Sequence, residues 1–228
     1  MSDHTEMLPE PLPAEPLAVA QAWLARAWSE GRQPNPNAMV LATTTPEGHP
    51  SARVVLCKDI QPVPGFIAFY TNYESRKGRE LAANARAAVV MHWDHLERQV
   101  RIEGRVVKAP VKDSDEYFAS RAIESRVGAW ASQQSQPLAS RQQLLNAVDV
   151  AAKRFGVDAG VRDRSAGKEP QVPRPPHWGG YRLWADAVEL WVAGAARIHD
   201  RARWTRTLTP RGSDAFDTSA WTSTRLQP

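Results

Sequence analysis

Apolar residues recur along the chain with two different periods, and the switches between them mark out the elements. Between residues 17 and 28, Leu17, Ala20, Leu24 and Trp28 fall three or four apart, the spacing of one helical face, and Gly31 supplies a left-handed stop. After a Pro-Asn-Pro-Asn turn the pattern becomes that of strands. Residues 39–43 read as a short apolar strand, Pro46-Glu-Gly48 as a turn, and residues 51–58 as a β-branched run, which together predict a hairpin. A third strand is expected over 66–71, followed by a helix over 76–83 with Ser75 as its N-cap. Two further strands follow over 87–93 and 99–108. In the second, polar Gln99, Arg101 and Glu103 alternate with Val100 and Ile102, giving one wet and one core face until Gly104 interrupts the run.

Residues 114–130 read as helix in pieces. A better helix opens at Ser140, with Gln143 completing a capping box and Leu144, Val148, Ala151, Ala152 and Phe155 forming its apolar stripe, and it closes at Gly156. Residues 157–176 have no period and read as an exposed loop. Strands are expected over 180–184, 187–192, 196–207 and 221–226. Residues 1–16, rich in Pro and Glu, read as a flexible arm ahead of a single domain over 17–228. Strands joined by turns, with helices inserted between groups of them, argue for an α+β fold around an antiparallel barrel with peripheral helices and against a doubly wound sheet.

Composition narrows the class. With 42% hydrophobic and 24% charged residues in 228, the chain has the make-up of a globular protein able to bury a core. No apolar run reaches membrane-spanning length, and the start lacks the basic and apolar regions of a secretory signal, so a cytoplasmic address is expected. The single cysteine, Cys57, excludes an internal disulfide framework. A net charge of +4, with cations scattered among apolar and aromatic residues instead of gathered in a block, suits phosphate pockets better than a nucleic-acid surface.

Three segments carry candidate chemistry. Arg53 and Lys58 end an apolar strand and, by parity, point to opposite faces unless the strand ends between them. The run from Tyr70 through Thr71 to Ser75, Arg76 and Lys77 leads a strand into a helix start, where backbone N–H groups, a hydroxyl and two cations could hold a dianionic phosphate; the alternative is a solvated helix end. On a strand, Arg197, His199 and Arg201 would share one face, so either a bound anion or a carboxylate such as Glu189 must compensate them. Trp191, of the same parity as Glu189, is either packing or the wall of a ring site. His92 and His95 lack a third ligand nearby, so no metal is expected. The absence of Gly-x-Gly-x-x-Gly and Walker patterns leaves a Rossmann or P-loop site without support.

Taken in order, these pieces resemble the pyridoxine/pyridoxamine 5'-phosphate oxidase family. The likeness runs from Pro36-Asn-Ala-Met39 to Arg225-Leu-Gln-Pro228. It is carried by Arg53 to Lys58, Tyr70-Thr-Asn, Ser75-Arg-Lys77, Leu96-Glu-Arg-Gln-Val100, Tyr117-Phe-Ala-Ser-Arg121, Gly128-Ala-Trp-Ala-Ser-Gln-Gln-Ser135, Trp178-Gly-Gly180, Glu189-Leu-Trp191 and Arg197-Ile-His-Asp-Arg201. The resemblance implies a homodimeric split barrel with FMN at the subunit interface. It assigns FMN to Arg53, Val54, Val55, Lys58, Tyr70, Thr71, Arg76, Lys77, Gln99, Gln134, Ser135, Trp191 and Arg201. The substrate would meet Lys58, Tyr117, Arg121 and Ser125, with Arg197 and His199 at the pyridine ring and the reacting carbon.

The reaction so implied is oxidation of pyridoxamine or pyridoxine 5'-phosphate to pyridoxal 5'-phosphate by hydride transfer from C4' to flavin N5, with O2 reoxidising the flavin to give H2O2. The chain departs from the family pattern in Ile123, where an Arg is usual, in an N-terminal arm without the Arg and Tyr of a lid, and in a long segment after Gly156. Two other readings keep part of the site: a related flavin oxidase acting on a phenazine-type aromatic, and a non-catalytic binder of flavin, pyridoxal phosphate or nucleic acid.

Overall fold

A computed structural model describes residues 6–157 and 170–228. Among these residues five α-helices, α1 (Pro16–Glu30), α2 (Arg76–Ala83), α3 (Val111–Ser120), α4 (Ile123–Ala131) and α5 (Arg141–Arg154), accompany eleven strands. The strands are β1 (Ala38–Thr44), β2 (Pro50–Leu56), β3 (Asp59–Gln61), β4 (Phe66–Asn72), β5 (Arg86–Trp93), β6 (Arg98–Lys108), β7 (Trp178–Val192), β8 (Asp200–Thr205), β9 (Leu208–Arg211), β10 (Ala215–Thr218) and β11 (Thr222–Leu226). Nine of these form one sheet with the path β11-β8-β7-β6-β5-β1-β2, while β4 pairs with β3 and β7; β9 and β10 form a separate hairpin. The fold is α+β on an antiparallel barrel sheet, as the strand and turn pattern predicts, and of the split-barrel type that the family resemblance implies.

By contacts the chain groups into two compact units, Met1–Phe69 with Glu80–Lys108 and Tyr181–Pro228, and Tyr70–Arg79 with Ala109–Gly180. In the first, strand alternation puts Val100 and Ile102 of β6 inside with Leu190, Val188 and Leu183 of β7, all fully buried. Gly104 does more than interrupt. The register between β6 and β7 slips there, with Glu103 opposite Ala187 and Gly104 opposite Ala185, so Asp186 is the extra residue of a bulge. A Cβ at Gly104 would stand 1.9 Å from the Trp184 carbonyl oxygen, which is why glycine is required. The bulge also joins the two strands expected over 180–184 and 187–192 into one long strand.

In the second unit the Ser140 hydroxyl accepts from the Gln143 N–H at 3.1 Å, the expected N-cap of α5, while the Gln143 side chain reaches back to Ala139 N. Ala151 and Ala152 pack with Phe118, Val127 and Trp178, and Val148 and Phe155 join them. Val172 belongs to the same cluster and is 4% exposed, and Pro173 accepts from the Trp130 indole. Over residues 170–175 the chain is without helix or strand, and Gln171, Pro173 and Pro176 are exposed, but Val172 and Pro175 are buried as apolar anchors; residues 158–169 lie outside the described residues.

Other expectations are corrected as well. On α1 the buried face is Leu17, Ala20 and Ala27, and Trp28 is half exposed. Strand β2 ends at Leu56, so Lys58 stands outside it, and the short β3 and the β9–β10 hairpin were not expected. The expected flexible arm is laid down over its described part: Leu8 is 6% exposed, its N–H donates to Asp200, and Pro13 accepts from the Trp204 indole.

Cys57 is buried, which pushes its thiol up to about 12. Because the thiolate is the reactive form, native protein at pH 8 should resist iodoacetamide while denaturant exposes one alkylatable cysteine per chain, checked by mass spectrometry. Prompt labelling of native protein would show that the β2–β3 turn opens.

Candidate functional site

The first unit brings together one row of expected residues through strand register. Gln99 of β6 faces Trp191 of β7, which faces Arg201 of β8. In the adjoining row Arg101, Glu189 and Arg203 stand side by side. Glu189 is 3% exposed and divides its carboxylate, one oxygen accepting from Arg201 at 2.8 Å and the other from Arg101 at 3.1 Å. Glu103 bridges Arg203 and Arg101 in turn, and the hydrogen bond from Arg203 holds its carboxyl below the usual carboxylate range. Of the two ways to compensate the cations, the carboxylate is the one seen for Arg201.

The shared strand face expected for Arg197, His199 and Arg201 does not exist. Strand β8 starts only at Asp200, and Ala195–Arg197 form a tight turn in which Ala196 and Arg197 are both left-handed, at φ 53° and 65°. Strand parity therefore cannot place these side chains. Arg197 is exposed in the turn, while the His199 ring lies 4.7 Å from that of Trp191. The Gly194 N–H donates to His199 Nδ1 at 3.1 Å, so in the neutral ring the proton sits on Nε2.

Arg53, on β2, is likewise ion-paired within the unit. Its guanidinium reaches Glu80 at 3.2 Å and donates to the hydroxyls of Ser51 and Thr43, which also donate to Glu80. Val54 alternates outward and is 66% exposed, Val55 is half-buried on the same face of β2 as Arg53, and Lys58 is exposed beyond the end of the strand. Sequence reasoning missed Glu80, because nothing local shows that a helical carboxylate returns to β2.

The second unit holds the other expected residues in two clusters. At the start of α2 the Ser75 hydroxyl caps Gly78 N at 3.3 Å, and the buried Lys77 Nζ donates to Thr71 Oγ1 at 3.0 Å, Ser75 Oγ at 3.2 Å and Gln134 Oε1 at 2.6 Å. Arg76 and Ser135 are exposed, Ser135 at φ 71°. An ammonium, hydroxyls and a helix N-terminus form the donor set that suits a phosphate ester.

In the other cluster Tyr70, Tyr117 and Trp178 stack nearly parallel, Tyr70 lying 4.0 Å from Tyr117 and 5.8 Å from Trp178. Two glycines let this wall form: a Cβ at Gly180 would stand 2.8 Å from the Tyr70 ring, and one at Gly179 2.1 Å from the Tyr73 hydroxyl. The Arg121 guanidinium lies 4.6 Å from the centroid of Trp178. Burial pulls its pKa down, and its Nη1 is buried without a hydrogen-bond partner among the described residues. Ser125 is exposed on α4, and Ile123 packs against the core around Phe118 and Trp178, so the position is used for packing here.

Comparison with known proteins supplies the context for these clusters. Residues 27–153 match the family described as pyridoxamine 5'-phosphate oxidase, and residues 178–228 match the pyridoxine 5'-phosphate oxidase C-terminal dimerisation region. The chain belongs to the pyridoxine/pyridoxamine 5'-phosphate oxidase family. It is 47% identical over 213 residues, 93% of this chain and 89% of the relative, to a protein of that name from Paraburkholderia xenovorans (strain LB400). To the one from Paracoccus denitrificans (strain Pd 1222) it is 48% identical, over 84% of this chain and 82% of the relative. Among solved structures, PhzG from Burkholderia lata 383, in complex with tetrahydrophenazine-1-carboxylic acid, aligns with a TM-score of 0.78 and 30% identity over 96% of this chain and 95% of that one. Among the described residues no helix is long and apolar enough to cross a membrane. No three metal-ligating side chains gather among those residues either.

Proposed function

We propose that this chain is an FMN-dependent oxidase that converts pyridoxamine 5'-phosphate and pyridoxine 5'-phosphate to pyridoxal 5'-phosphate, working as a homodimer. The observation that carries the reading is Arg121. A buried guanidinium nitrogen without an acceptor costs about 1–3 kcal/mol or more, and an anionic ester against the Tyr70–Tyr117–Trp178 wall would supply that acceptor. The matched dimerisation region supports the dimer.

The residues that would hold FMN are Lys77, Thr71, Arg76, Gln134 and Ser135, whose donors suit its phosphate, with Arg53, Gln99, Trp191 and Arg201. Once bound, FMN would accept a hydride from substrate C4' and pass the electron pair to O2, giving H2O2. The chain's own task is positioning. Arg121 and Tyr117 hold the ester, Lys58 and Ser125 lie on the same carried-over substrate set, and Arg197 and His199 Nε2–H stabilise charge at the substrate ring. Glu189 and Glu80 hold the guanidiniums of Arg201 and Arg53 in fixed directions.

The test is spectroscopic. Purified yellow protein should bleach anaerobically with pyridoxamine 5'-phosphate and recover in air with one H2O2 per turnover. Arg121→Gln should raise KM for that substrate by roughly 10- to 100-fold while FMN content stays at the wild-type level, the scale of one charge-assisted hydrogen bond. Failure to bleach would defeat the reading. A second reading draws on PhzG: an aromatic wall with one guanidinium would also accept a carboxylated tricycle. Bleaching by a reduced phenazine carboxylate but not by the vitamin phosphate would select it.

A further inference from the structure

We infer that Asp200 is a positioning residue for the proposed oxidation: it clamps the N-terminal strap to the base of the turn that carries Arg197 and His199. The inference rests on the function proposed above. Asp200 is the first residue of β8, between His199 and Arg201, and its register partner is Val192, the last residue of β7. Its two carboxylate oxygens face different parts of the chain. One accepts from the backbone N–H of Leu8 at 2.8 Å and the other from Arg225 at 2.5 Å, with the carboxylate only 16% exposed.

Arg225 completes the clamp. It donates to the carbonyls of Leu8 and Pro9 and pairs with Glu10 at 3.0 Å. The strap is tied along its length as well, by Arg98 to the Glu6 carbonyl, by Trp204 to the Pro13 carbonyl and by Trp221 to the Glu15 carboxylate. Arms rich in Pro and Glu have no need of so many anchors unless their placement does something.

The turn between β7 and β8 explains the need. Left-handed backbone at two successive non-glycine residues, Ala196 and Arg197, is unfavourable and persists only where both ends are held. At the β7 end Ala193 N–H donates to the Glu97 carbonyl at 3.0 Å, and at the close of the turn Ile198 N–H donates to Ala195. A Cβ on Gly194 would lie 1.8 Å from the Ile198 carbonyl oxygen, so the turn has little room to adjust. At the β8 end the side-chain anchor is Asp200. Releasing it loosens the chain beside His199, whose ring is otherwise set by the Gly194 N–H and by packing 4.7 Å from the Trp191 ring.

The full chain is tested as wild type, Asp200→Asn and Leu8→Gly. Asparagine puts an NH2 donor in place of one of the two oxygens that accept from Leu8 and Arg225, and glycine removes the strap's buried anchor without touching the turn. Hydrogen exchange over residues 6–10 reports strap release, and exchange over 194–201 reports the turn with or without flavin. Both variants should speed exchange in both segments. Asp200→Asn should lower kcat/KM for pyridoxamine 5'-phosphate by about 10- to 100-fold, mostly in kcat, with FMN affinity within about twofold of wild type, as expected for misplacement of a reacting group. Leu8→Gly should move the same way by less. A strap that is released while exchange over 194–201 and the kinetic constants stay at wild-type values would overturn the inference, and so would altered exchange with unchanged turnover. A wild type that does not oxidise pyridoxamine 5'-phosphate would instead overturn the function proposed, and positioning for that oxidation with it, even if the two segments still exchange together.

Discussion

Replacing Arg197 with alanine is expected to lower kcat/KM for pyridoxamine 5'-phosphate by on the order of 10²- to 10³-fold while FMN remains bound, the usual consequence of removing one well-placed charge-stabilising donor. The substitution is unusually clean. Arg197 sits at φ 65° on an exposed turn, and alanine meets the same left-handed penalty as arginine, so the backbone energetics change little and the guanidinium alone is lost. Arg197 also makes no ion pair seen among the described residues, in contrast with Arg201 and Arg53, whose buried carboxylate partners tie them to the scaffold. Single-turnover bleaching of the flavin, with FMN content read from the same spectra, separates the chemical step from cofactor loss. Normal turnover with flavin bound would remove Arg197 from the reaction.

The largest effect on stability is expected at Trp204. Its indole is 1% exposed, lies opposite fully buried Val188 across the β7–β8 ladder, and donates to the Pro13 carbonyl at 2.8 Å. Trp204→Ala removes the burial, leaves a cavity and orphans that carbonyl, a combination worth about 3–5 kcal/mol. For a chain of this length that lowers the thermal midpoint by roughly 6–20 °C, measured on flavin-free protein to avoid linkage to bound cofactor. Trp204→Phe should recover most of the loss, since it restores burial and forgoes about 1 kcal/mol of hydrogen bond. An unchanged midpoint in the alanine variant would mean that neither the sheet nor the strap leans on the indole.

These expectations draw on different layers of information. Strand β6 was readable because alternation of Gln99, Arg101 and Glu103 with Val100 and Ile102 has only one arrangement that buries the apolar set, and the structure keeps it. The caps of α2 and α5 were readable for a local reason: Ser75 and Ser140 meet donors three residues on. The 196–207 run was misread because periodicity carries no record of two left-handed residues, and Arg197, Ile198 and His199 look extended until the backbone is known. The anchoring of the arm is not legible locally, because proline and glutamate are typical of mobile segments, whereas buried Leu8 and hydrogen bonds from distant Arg98, Trp204 and Trp221 hold its described part.

By itself, then, the chain's pattern of apolar alternation, helix caps and turn residues determined the antiparallel α+β architecture, and the order of its cationic and aromatic segments pointed to the oxidase family. Those signals act between near neighbours, where spacing and stereochemistry leave few choices. Only the tertiary structure decided how the charges are compensated. Glu189 and Glu80 neutralise Arg201 and Arg53 from 12 and 27 residues away, and Arg121 is left with a buried donor unmet among the described residues, because ion pairing depends on distance in space and on burial, neither of which the order of residues records.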